Sequence, residues 1–269
     1  MANMILYRSL RVASVTAPSS QIDYSAKNLS PYPIPRMGRV WRHNGSSDTA
    51  TITFDLGKDS AIDVVSLFGI GEGNAPPSSA WRWSIDLASE AQGAFDDAFW
   101  SGATEALLAG SALPQSGFGK ALWLAPADAP ATARYVRVNL SQLGGAYCQI
   151  AIAAMGKAFQ PSRNYSYGAA FGVRDLGALD YAPRGGISRR EGVKLPGVGL
   201  SLRALRREEV EEQLQDLLEE VGNTDPVVLI KDPSDHPSDT ALANHGSQAA
   251  RTQGHRSGFA LRSRSNRQA

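Results

Sequence analysis

The sequence predicts a mainly β protein, in which a β-sandwich or jelly roll is followed by a smaller β region with one amphipathic helix. Three observations lead to this fold class. Apolar and polar residues alternate in short segments, turns rich in glycine and proline separate those segments, and a helical apolar period occurs in one stretch. The chain of 269 residues is long enough for one large β domain or two ordinary ones.

The clearest strand pattern is the segment TITFDLGKDSAIDVVSLFG. Ile52, Phe54 and Leu56 alternate with polar residues, which is the period-2 pattern of a half-buried strand. Residues 57–60 (GKDS) predict a turn, and residues 62–68 predict a second, more buried strand. We expect the apolar face of the first strand to hold the sandwich together and to contact no ligand.

Four tryptophans of the first half are candidates for different roles. Trp81 and Trp83 share one strand face, which predicts core packing, and Trp41 is expected to anchor a loop to the core. Trp100 lies in the loop-like stretch DDAFWSGATE and has two interpretations. It packs inward, or it offers a face on which a sugar stacks. Ligand binding is expected on loops at one end of the sandwich, such as residues 37–47, 71–80 and 93–102.

A change of composition near residues 157–164 predicts the end of a first domain over residues 1–158. A second domain over residues 159–233 includes a helix at about residues 207–221. Its apolar stripe is Val210, Leu214, Leu217, Leu218 and Val221, and Gly222 is expected to end it. Strands are predicted around residues 165–173, 185–190, 198–206 and in the segment DPVVLIKDP.

Residues 234–269 form a basic, weakly patterned arm, because five arginines occur there and no acidic residue follows Asp239. The arm is either a solvated tail or a segment that docks on a neighbouring subunit. The stretch GFALRSRS within it predicts one short strand.

Composition excludes several classes of function. The formal net charge of +1 gives no overall field for nucleic acid or an anionic membrane. No segment approaches the roughly 18 apolar residues that predict a membrane span, and no signal peptide is apparent. We therefore expect a soluble protein that is synthesised in a cytoplasm. The single cysteine, Cys148, lies in an apolar run and is expected to be a buried side chain rather than a nucleophile.

The sequence contains no motif for catalysis. His43, His236, His245 and His255 share no metal-ligand spacing, so neither a metal nor another cofactor is predicted. No Gly-x-Ser-x-Gly elbow occurs, and prolines follow the glycine-rich stretch GIGEGNAP where a phosphate-binding loop would begin its helix. The segment KDPSDHPSD predicts turns. We therefore expect no enzyme activity, and a glycan hydrolase has only the general fold in its favour.

The first half resembles the discoidin-like, galactose-binding-like jelly roll. In that family a tryptophan loop precedes a strand ending in Asp-Leu-Gly, and here Trp41 and Asp55–Gly57 match. An Ile-Asp-x-Val pattern matches Ile62–Val64, and a late Ala-Arg-Tyr-Val-Arg strand matches Ala133–Arg137. The resemblance implies a jelly-roll fold and, as one alternative, a carbohydrate-binding module that contacts the host surface.

Residues of about 156–231 resemble the distal tail and minor tail proteins of long-tailed phages. The matching order is strand, arginine-rich turn, strand, acidic helix and proline-led strand. The resemblance implies a split β-barrel-like domain that forms or decorates a ring on the tail tube. It also implies a homo-oligomer, a hexamer or a trimer, that contacts the tail tube and hub proteins of the tail tip or baseplate of a virion.

A structural virion protein of this kind is the leading interpretation of the sequence. Its candidate subunit interface pairs a cationic turn with the acidic helix of a neighbour, which would fix orientation more than affinity. The alternative is that these charges are only solvated. The candidate interface residues are Arg184, Arg189, Arg190, Glu208 and Glu212.

Overall fold

The structure is a computed structural model that describes residues 3–29, 39–73, 75–110, 117–165, 170–175, 177–181, 186–192, 194–202, 205–222, 225–234, 236–244 and 259–261. In chain order the strands are β1 (Ile5–Arg8), β2 (Ser14–Thr16), β3 (Trp41–Arg42), β4 (Ala50–Ala61), β5 (Val64–Glu72), β6 (Arg82–Ala88), β7 (Trp100–Ser101), β8 (Glu105–Ala106), β9 (Gly119–Leu124), β10 (Thr132–Ser141), β11 (Cys148–Ile150), β12 (Ile152–Gly156), β13 (Ala170–Asp175), β14 (Ala178–Tyr181), β15 (Ile187–Arg190), β16 (Lys194–Leu202), β17 (Pro226–Asp232), β18 (His236–Asn244) and β19 (Phe259–Leu261).

Helical turns are few in the described residues. Short 3-10 helices occupy Ala26–Leu29 and Glu90–Gln92. A π-helical segment, Glu209–Leu214, continues into the α-helix α1, Gln215–Val221. The mainly β fold class with one amphipathic helix is therefore confirmed.

The chain divides into two compact units. The first contains Met1–Gln160 and Asp225–Leu242, and the second contains Pro161–Thr224 and Ala243–Ala269. The chain thus leaves the first unit after β12, returns to it as β17, and leaves it again within β18. The sequence division differs here, because it places residues 225–233 in the second domain. Strand β17 pairs antiparallel with β1, with Ile5 opposite Ile230.

Two sheets of the first unit form the expected jelly-roll-like sandwich. One sheet has the order β2-β4-β10-β6-β7 with β8 beside β6, and the other has the order β12-β5-β11-β3 with β9 beside β5. Apolar side chains of both sheets form one core, which includes Ile52, Phe54 and Leu56 of β4, as the alternation predicts. The core also contains the three tryptophans expected there, Trp41, Trp81 and Trp83.

The turn expected at residues 57–60 is wrong. Strand β4 continues to Ala61, and the pairing register with β10 shifts between Ala133 and Tyr135. Gly57 has φ +80° and its N–H donates to Asp55 Oδ1 at 2.7 Å. Gly57 therefore marks an irregularity of the ladder rather than a chain reversal, and left-handed backbone at such a position favours glycine.

Strand β5 is buried on both faces, which explains its unbroken apolar sequence. Val65 and Leu67 belong to the core of the sandwich, whereas Val64 and Phe68 belong to a second apolar cluster. That cluster includes side chains from β1 and β17: Ile5, Tyr7, Val228 and Ile230. The small sheet β1-β17-β18 thus covers the outer face of β5. Burial also raises the pKa of the Tyr7 hydroxyl.

The described strands of the second unit form one sheet, β13-β16-β19, and one two-stranded ribbon, β14-β15. They do not close into a barrel, so the split-barrel expectation is not met within the described residues. The helix stripe is largely as predicted, because Val210, Leu214 and Val221 are buried. Leu217 and Leu218 differ from the expectation, because they are only half-buried. Gly222 ends the helix with φ +56° and donates its N–H to the Leu218 carbonyl.

Two further segments extend the sequence interpretation. The short strand expected in GFALRSRS is β19, which pairs with β16. The turn interpretation of KDPSDHPSD is wrong in its second half, because residues from His236 onward form β18. Strand β18 lies at the edge of its sheet, where a strand needs less apolar sequence than a central one.

Candidate functional site

The sandwich has two loop ends, which the strand directions define. The Tyr147 end comprises the loops before β4, between β5 and β6, and between β10 and β11. The Trp100 end comprises the loops between β4 and β5, between β6 and β7, and between β9 and β10. The three expected binding loops do not share one end. Residues 39–47 and 71–80 lie at the Tyr147 end, whereas residues 93–102 run through the opposite end.

Backbone hydrogen bonds join the loops of the Tyr147 end. The N–H groups of Leu143 and Gly144 donate to the Asp48 carbonyl (3.0 Å) and side chain (2.6 Å). The Gly73 N–H donates to the Tyr147 carbonyl at 3.3 Å. Left-handed backbone is concentrated in the same loop, at Gln142 (φ 58°), Gly144 (φ 62°) and Gly145 (φ 75°). Among these three, Gln142 is the non-glycine residue, and such a conformation persists where the surrounding fold fixes it.

Tyr147 presents an exposed aromatic ring above this loop platform. The residue is 52% exposed. The ring lies against Gly45, because a Cβ atom there would come within 3.2 Å of Tyr147 Cε1 and 3.0 Å of the Gly145 carbonyl oxygen. A second exposed ring, Phe118 at 40%, covers Gly71 in the same way. Two aromatic side chains are therefore supported from beneath and open to solvent on this end.

Oriented polar side chains accompany these rings. Arg42 Nη2 donates to Gln149 Oε1 at 2.9 Å, and the guanidinium carbon lies 4.1 Å from the centre of the Tyr24 ring. The side-chain oxygen of Asn44 accepts hydrogen bonds from both the N–H (3.0 Å) and the Oγ (2.6 Å) of Ser46. These contacts hold the arginine, glutamine and asparagine in fixed positions before any ligand arrives.

Four buried polar atoms near this end have no hydrogen-bond partner among the described residues. They belong to two adjacent segments, since the Gln21 N–H donates to the Arg42 carbonyl and the Asn44 N–H donates to the Ser19 carbonyl. The atoms are Ser19 Oγ, Gln21 Oε1, Arg42 Nε and His43 Nδ1. These atoms are enclosed by the protein, so a ligand docked on the surface does not reach them directly.

The aromatic residue predicted as a ligand candidate, Trp100, lies at the opposite end in a different environment. It is half-buried against the sandwich core, with its ring centre 5.9 Å from that of Trp123. Its indole N–H donates to Asp128 Oδ2 at 3.1 Å. A Cβ atom on Gly102 would lie 2.9 Å from the ring, which shows how closely the backbone approaches it. This geometry favours the packing interpretation of Trp100.

The other aromatic residues of the Trp100 end also contact protein groups. The guanidinium of Arg137 lies 4.1 Å from the ring centre of Phe95 and 4.6 Å from that of Phe99. The same arginine donates to the buried carboxylate of Asp86 at 2.8 Å, and Ser101 Oγ donates to the other oxygen at 2.7 Å. These contacts place a loop over the outer face of the sheet, so the rings stabilise the fold.

An ion-pair network completes the Trp100 end. Arg134 contacts Asp55 at 2.9 Å and Glu90 at 3.1 Å. The hydrogen bond from Arg134 is the main cause that lowers the pKa of Asp55, and the Gly57 N–H contributes in the same direction. The Asp55 carboxylate therefore stabilises strand β4 beside its irregularity at Gly57.

The candidate interface residues lie in the second unit. Arg189 and Arg190 end β15, and Arg189 contacts Glu191 at 3.3 Å. Glu208 and Glu212 are exposed at the helix, and no contact with the two arginines occurs among the described residues. Arg184 lies outside the described residues. The structure of one copy thus leaves the predicted pairing open to a second copy.

Neither a metal site nor a reactive thiol emerges from the described part of the chain. It contains no group of three or more His, Cys, Asp or Glu side chains arranged to hold a metal ion. Cys148 is buried, and burial raises the pKa of its thiol. His245 and His255 lie outside the described residues. None of the helices in the described segments has the length and apolar character that a bilayer crossing requires.

Comparisons with known proteins give similarity in structure only. No protein-family model matches the chain, and no curated protein sequence matches it. A chitosan-binding module from a chitosanase/glucanase of Paenibacillus sp. IK-5 is 16% identical over 55% of this chain and 98% of its own, with a TM-score of 0.42. The family 32 carbohydrate-binding module of C. perfringens NanJ, in complex with galactose, is 14% identical over 55% and 97%, with a TM-score of 0.41. A Streptococcus pneumoniae fucose-binding module is 12% identical over 55% and 94%, with a TM-score of 0.41. These comparisons give no evidence for the tail-tip role, which stays a prediction.

Proposed function

We propose that the first unit is a carbohydrate-binding module whose ligand docks at the Tyr147 end. The observation that carries this proposal is the exposed Tyr147 ring, which rests on Gly45 beside fixed polar side chains. A pyranose ring has an apolar face of C–H groups and an equatorial rim of hydroxyls. An exposed aromatic face and oriented amide and guanidinium groups are the complementary chemistry.

The loop platform supports the proposal because it fixes the site before binding. The loops that carry Gly45, Gly73 and Tyr147 are hydrogen-bonded to one another, as described above. A preformed site loses little conformational entropy when the ligand binds, which matters for a small, flexible and well-hydrated ligand such as a sugar. The proposal assigns no bond-breaking step to these residues and therefore describes binding without catalysis.

Titration calorimetry on the full chain tests the proposal. The first ligands are chitosan oligosaccharides, galactose and fucose, followed by a glycan array for wider coverage. Tyr147→Ala should weaken glycan binding by about tenfold or more, as expected for an aromatic anchor. Tyr147→Phe should keep most of the affinity, because it retains the ring.

Tyr181→Ala is the matched control, since Tyr181 is an exposed tyrosine of the second unit. Affinity should be unchanged in this variant. The proposal is wrong if no glycan binds to the wild-type chain, or if Tyr147→Ala binds glycans as well as wild type does.

The tail-tip role, with its virion location, concerns the whole chain and is compatible with a binding module in the first unit. We propose that the protein lies at the tail tip of a virion, where the first unit would contact a surface glycan. Antibody labelling of purified phage particles would test it, because a tail-tip protein must label the end of the tail.

A further inference from the structure

We propose that the glycan bound at the Tyr147 end is acidic and that Arg42 binds its anionic group. This inference rests on the proposed carbohydrate-binding function and names the chemical class of its ligand. The group is a carboxylate or a sulfate carried by a sugar ring. The observation behind it is that Arg42, although half-buried, forms no ion pair among the described residues.

Arg42 differs in this respect from the other half-buried arginines of the first unit. Three of them contact carboxylates, and the fourth donates to three backbone carbonyl groups. The three are Arg8 with Asp225, Arg134 with Asp55 and Glu90, and Arg137 with Asp86, and the fourth is Arg82. The Arg42 side chain donates only to the neutral amide of Gln149 and packs on the Tyr24 ring. Its positive charge therefore has no fixed counter-charge, and an anion is the complementary ligand.

Strand pairing places Arg42 beside the exposed tyrosine. Arg42 is opposite Gln149 in the β3-β11 ladder, on the face that points away from the sandwich core. Tyr147 is two positions before Gln149, and Cα atoms two positions apart are separated by at most about 7 Å. The Tyr147 ring lies against Gly45, three positions after Arg42. One oligosaccharide can therefore contact both the ring and the guanidinium.

Two hydrogen-bond donors of this cluster are available to a ligand. Arg42 Nη1 and Gln149 Nε2 donate to no described residue, and neither atom is enclosed by the protein. Gln149 Nε2 lies 3.3 Å from the position that a Cβ atom on Gly71 would take, and the exposed Phe118 ring lies 3.1 Å from the same position. An anionic oxygen that accepts from Arg42 forms a charge-assisted hydrogen bond, roughly twice as strong as a neutral one.

The other charges of this end do not neutralise Arg42 at close range. Asp23, Asp48 and Glu72 occur in the surrounding loops, and none of them forms an ion pair with Arg42. Lys27 and Arg39, both exposed, offset part of this negative charge. The end as a whole is therefore close to neutral, so we expect selection of an acidic sugar to come from direct contact with Arg42 rather than from a general positive field.

Titration calorimetry on the full chain compares each acidic ligand with a neutral counterpart. Oligogalacturonate is paired with its fully methyl-esterified form, which keeps the sugar rings and removes the charge. A sulfated galactan oligosaccharide is paired with the unsulfated one. At least one acidic ligand should bind about tenfold or more tightly than its counterpart, as expected for one hydrogen bond to a charged group. The pair with the larger ratio identifies the anion as a carboxylate or a sulfate.

Variants of Arg42 assign the preference to this side chain. Arg42→Gln should lower the affinity for the preferred acidic ligand to that of its neutral counterpart. Arg42→Lys keeps the charge without the planar fork and should retain an intermediate preference. Lys58→Gln removes an exposed cation at the Trp100 end and should bind as wild type does. A partly unfolded variant would lose both ligands equally, so the ratio of the two affinities separates lost recognition from lost folding.

The possible results distinguish this inference from the proposed function. The inference is overturned if neither acidic ligand is preferred, or if Arg42→Gln keeps the preference of wild type. Binding of neutral glycans that depends on Tyr147, with no preference for acidic ones, would overturn this inference alone. A wild-type chain that binds no glycan would overturn both.

Discussion

The two ends of the sandwich use aromatic side chains in opposite ways. At the Trp100 end, the rings of Phe95, Phe99 and Trp100 contact a guanidinium, a carboxylate or another ring. At the Tyr147 end, Tyr147 and Phe118 rest on glycines and leave one side open to solvent. Loop length and aromatic content therefore do not identify a site. A ring that contacts protein groups on both faces stabilises the fold, whereas a ring with one face open to solvent can contact a ligand.

Substitution in the core that both ends share should cause the greatest loss of stability. Phe54 is fully buried, so Phe54→Ala should cost about 3–5 kcal/mol of unfolding free energy. Thermal and chemical denaturation measure this loss, and glycan binding should disappear with the fold. Thr53→Ala, on the opposite face of the same strand, should cost less than about 1 kcal/mol. Similar losses in both variants would show that the face assignment of β4 is wrong.

The next effect separates the two ends directly. Trp100→Ala should cost about 2 kcal/mol, less than the ~3–5 kcal/mol of a fully buried aromatic, because the ring is only half-buried. Glycan affinity should not change, since this ring lies at the other end. Tyr147→Ala should do the reverse, with stability within about 0.5 kcal/mol of wild type and affinity reduced. If Trp100→Ala weakens binding while its melting temperature is unchanged, the assignment of the two ends is inverted.

Much of the fold could be predicted from local pattern. The alternation of Ile52, Phe54 and Leu56 predicts the inward face of β4, and the unbroken apolar run of β5 is typical of a strand with two covered faces. The helix stripe and the Gly222 terminus are equally local. These features depend on side chains a few residues apart, which a sequence displays directly.

The site depends on contacts that the sequence does not display. Residues 71–80 and 93–102 look alike as loops, and only strand pairing shows that they lie at opposite ends. Tyr147 adjoins an apolar strand in the sequence, and the nearby Gly144 and Gly145 are the local signal that a tight loop precedes it. The pairing of β1 with β17 joins residues more than two hundred positions apart, which local patterns cannot predict.

A smaller effect tests how the Tyr147 ring is supported. Gly45 has φ +71°, and a Cβ atom there would press on the Gly145 carbonyl and the Tyr147 ring. Gly45→Ala should therefore cost about 1–2 kcal/mol and also weaken glycan binding, because the ring must move. Gly57→Ala is the matched control, since Gly57 has φ +80° toward the Trp100 end, where a Cβ atom would meet only Ala13 Cβ, at 3.5 Å. It should lose similar stability while keeping its affinity. Equal affinity in both variants would show that the Tyr147 ring is not part of the glycan site.

The smallest effect concerns the ion pair of the Trp100 end and its dependence on pH. Because Arg134 lowers the pKa of Asp55 in the folded state, the unfolded state takes up a proton first as the pH falls. The pair therefore stabilises the fold at neutral pH, and this stabilisation is lost below about pH 4, where unfolded aspartate begins to be protonated. Asp55→Asn should lower the melting temperature at pH 7. It should also reduce the additional loss of melting temperature that acid causes below about pH 5, a range that spans the pKa of an unfolded aspartate. Asp97→Asn, at an exposed loop position of the same end, should leave both quantities as in wild type. If Asp55→Asn keeps the full acid sensitivity of wild type, another carboxylate controls the acid stability of the sandwich.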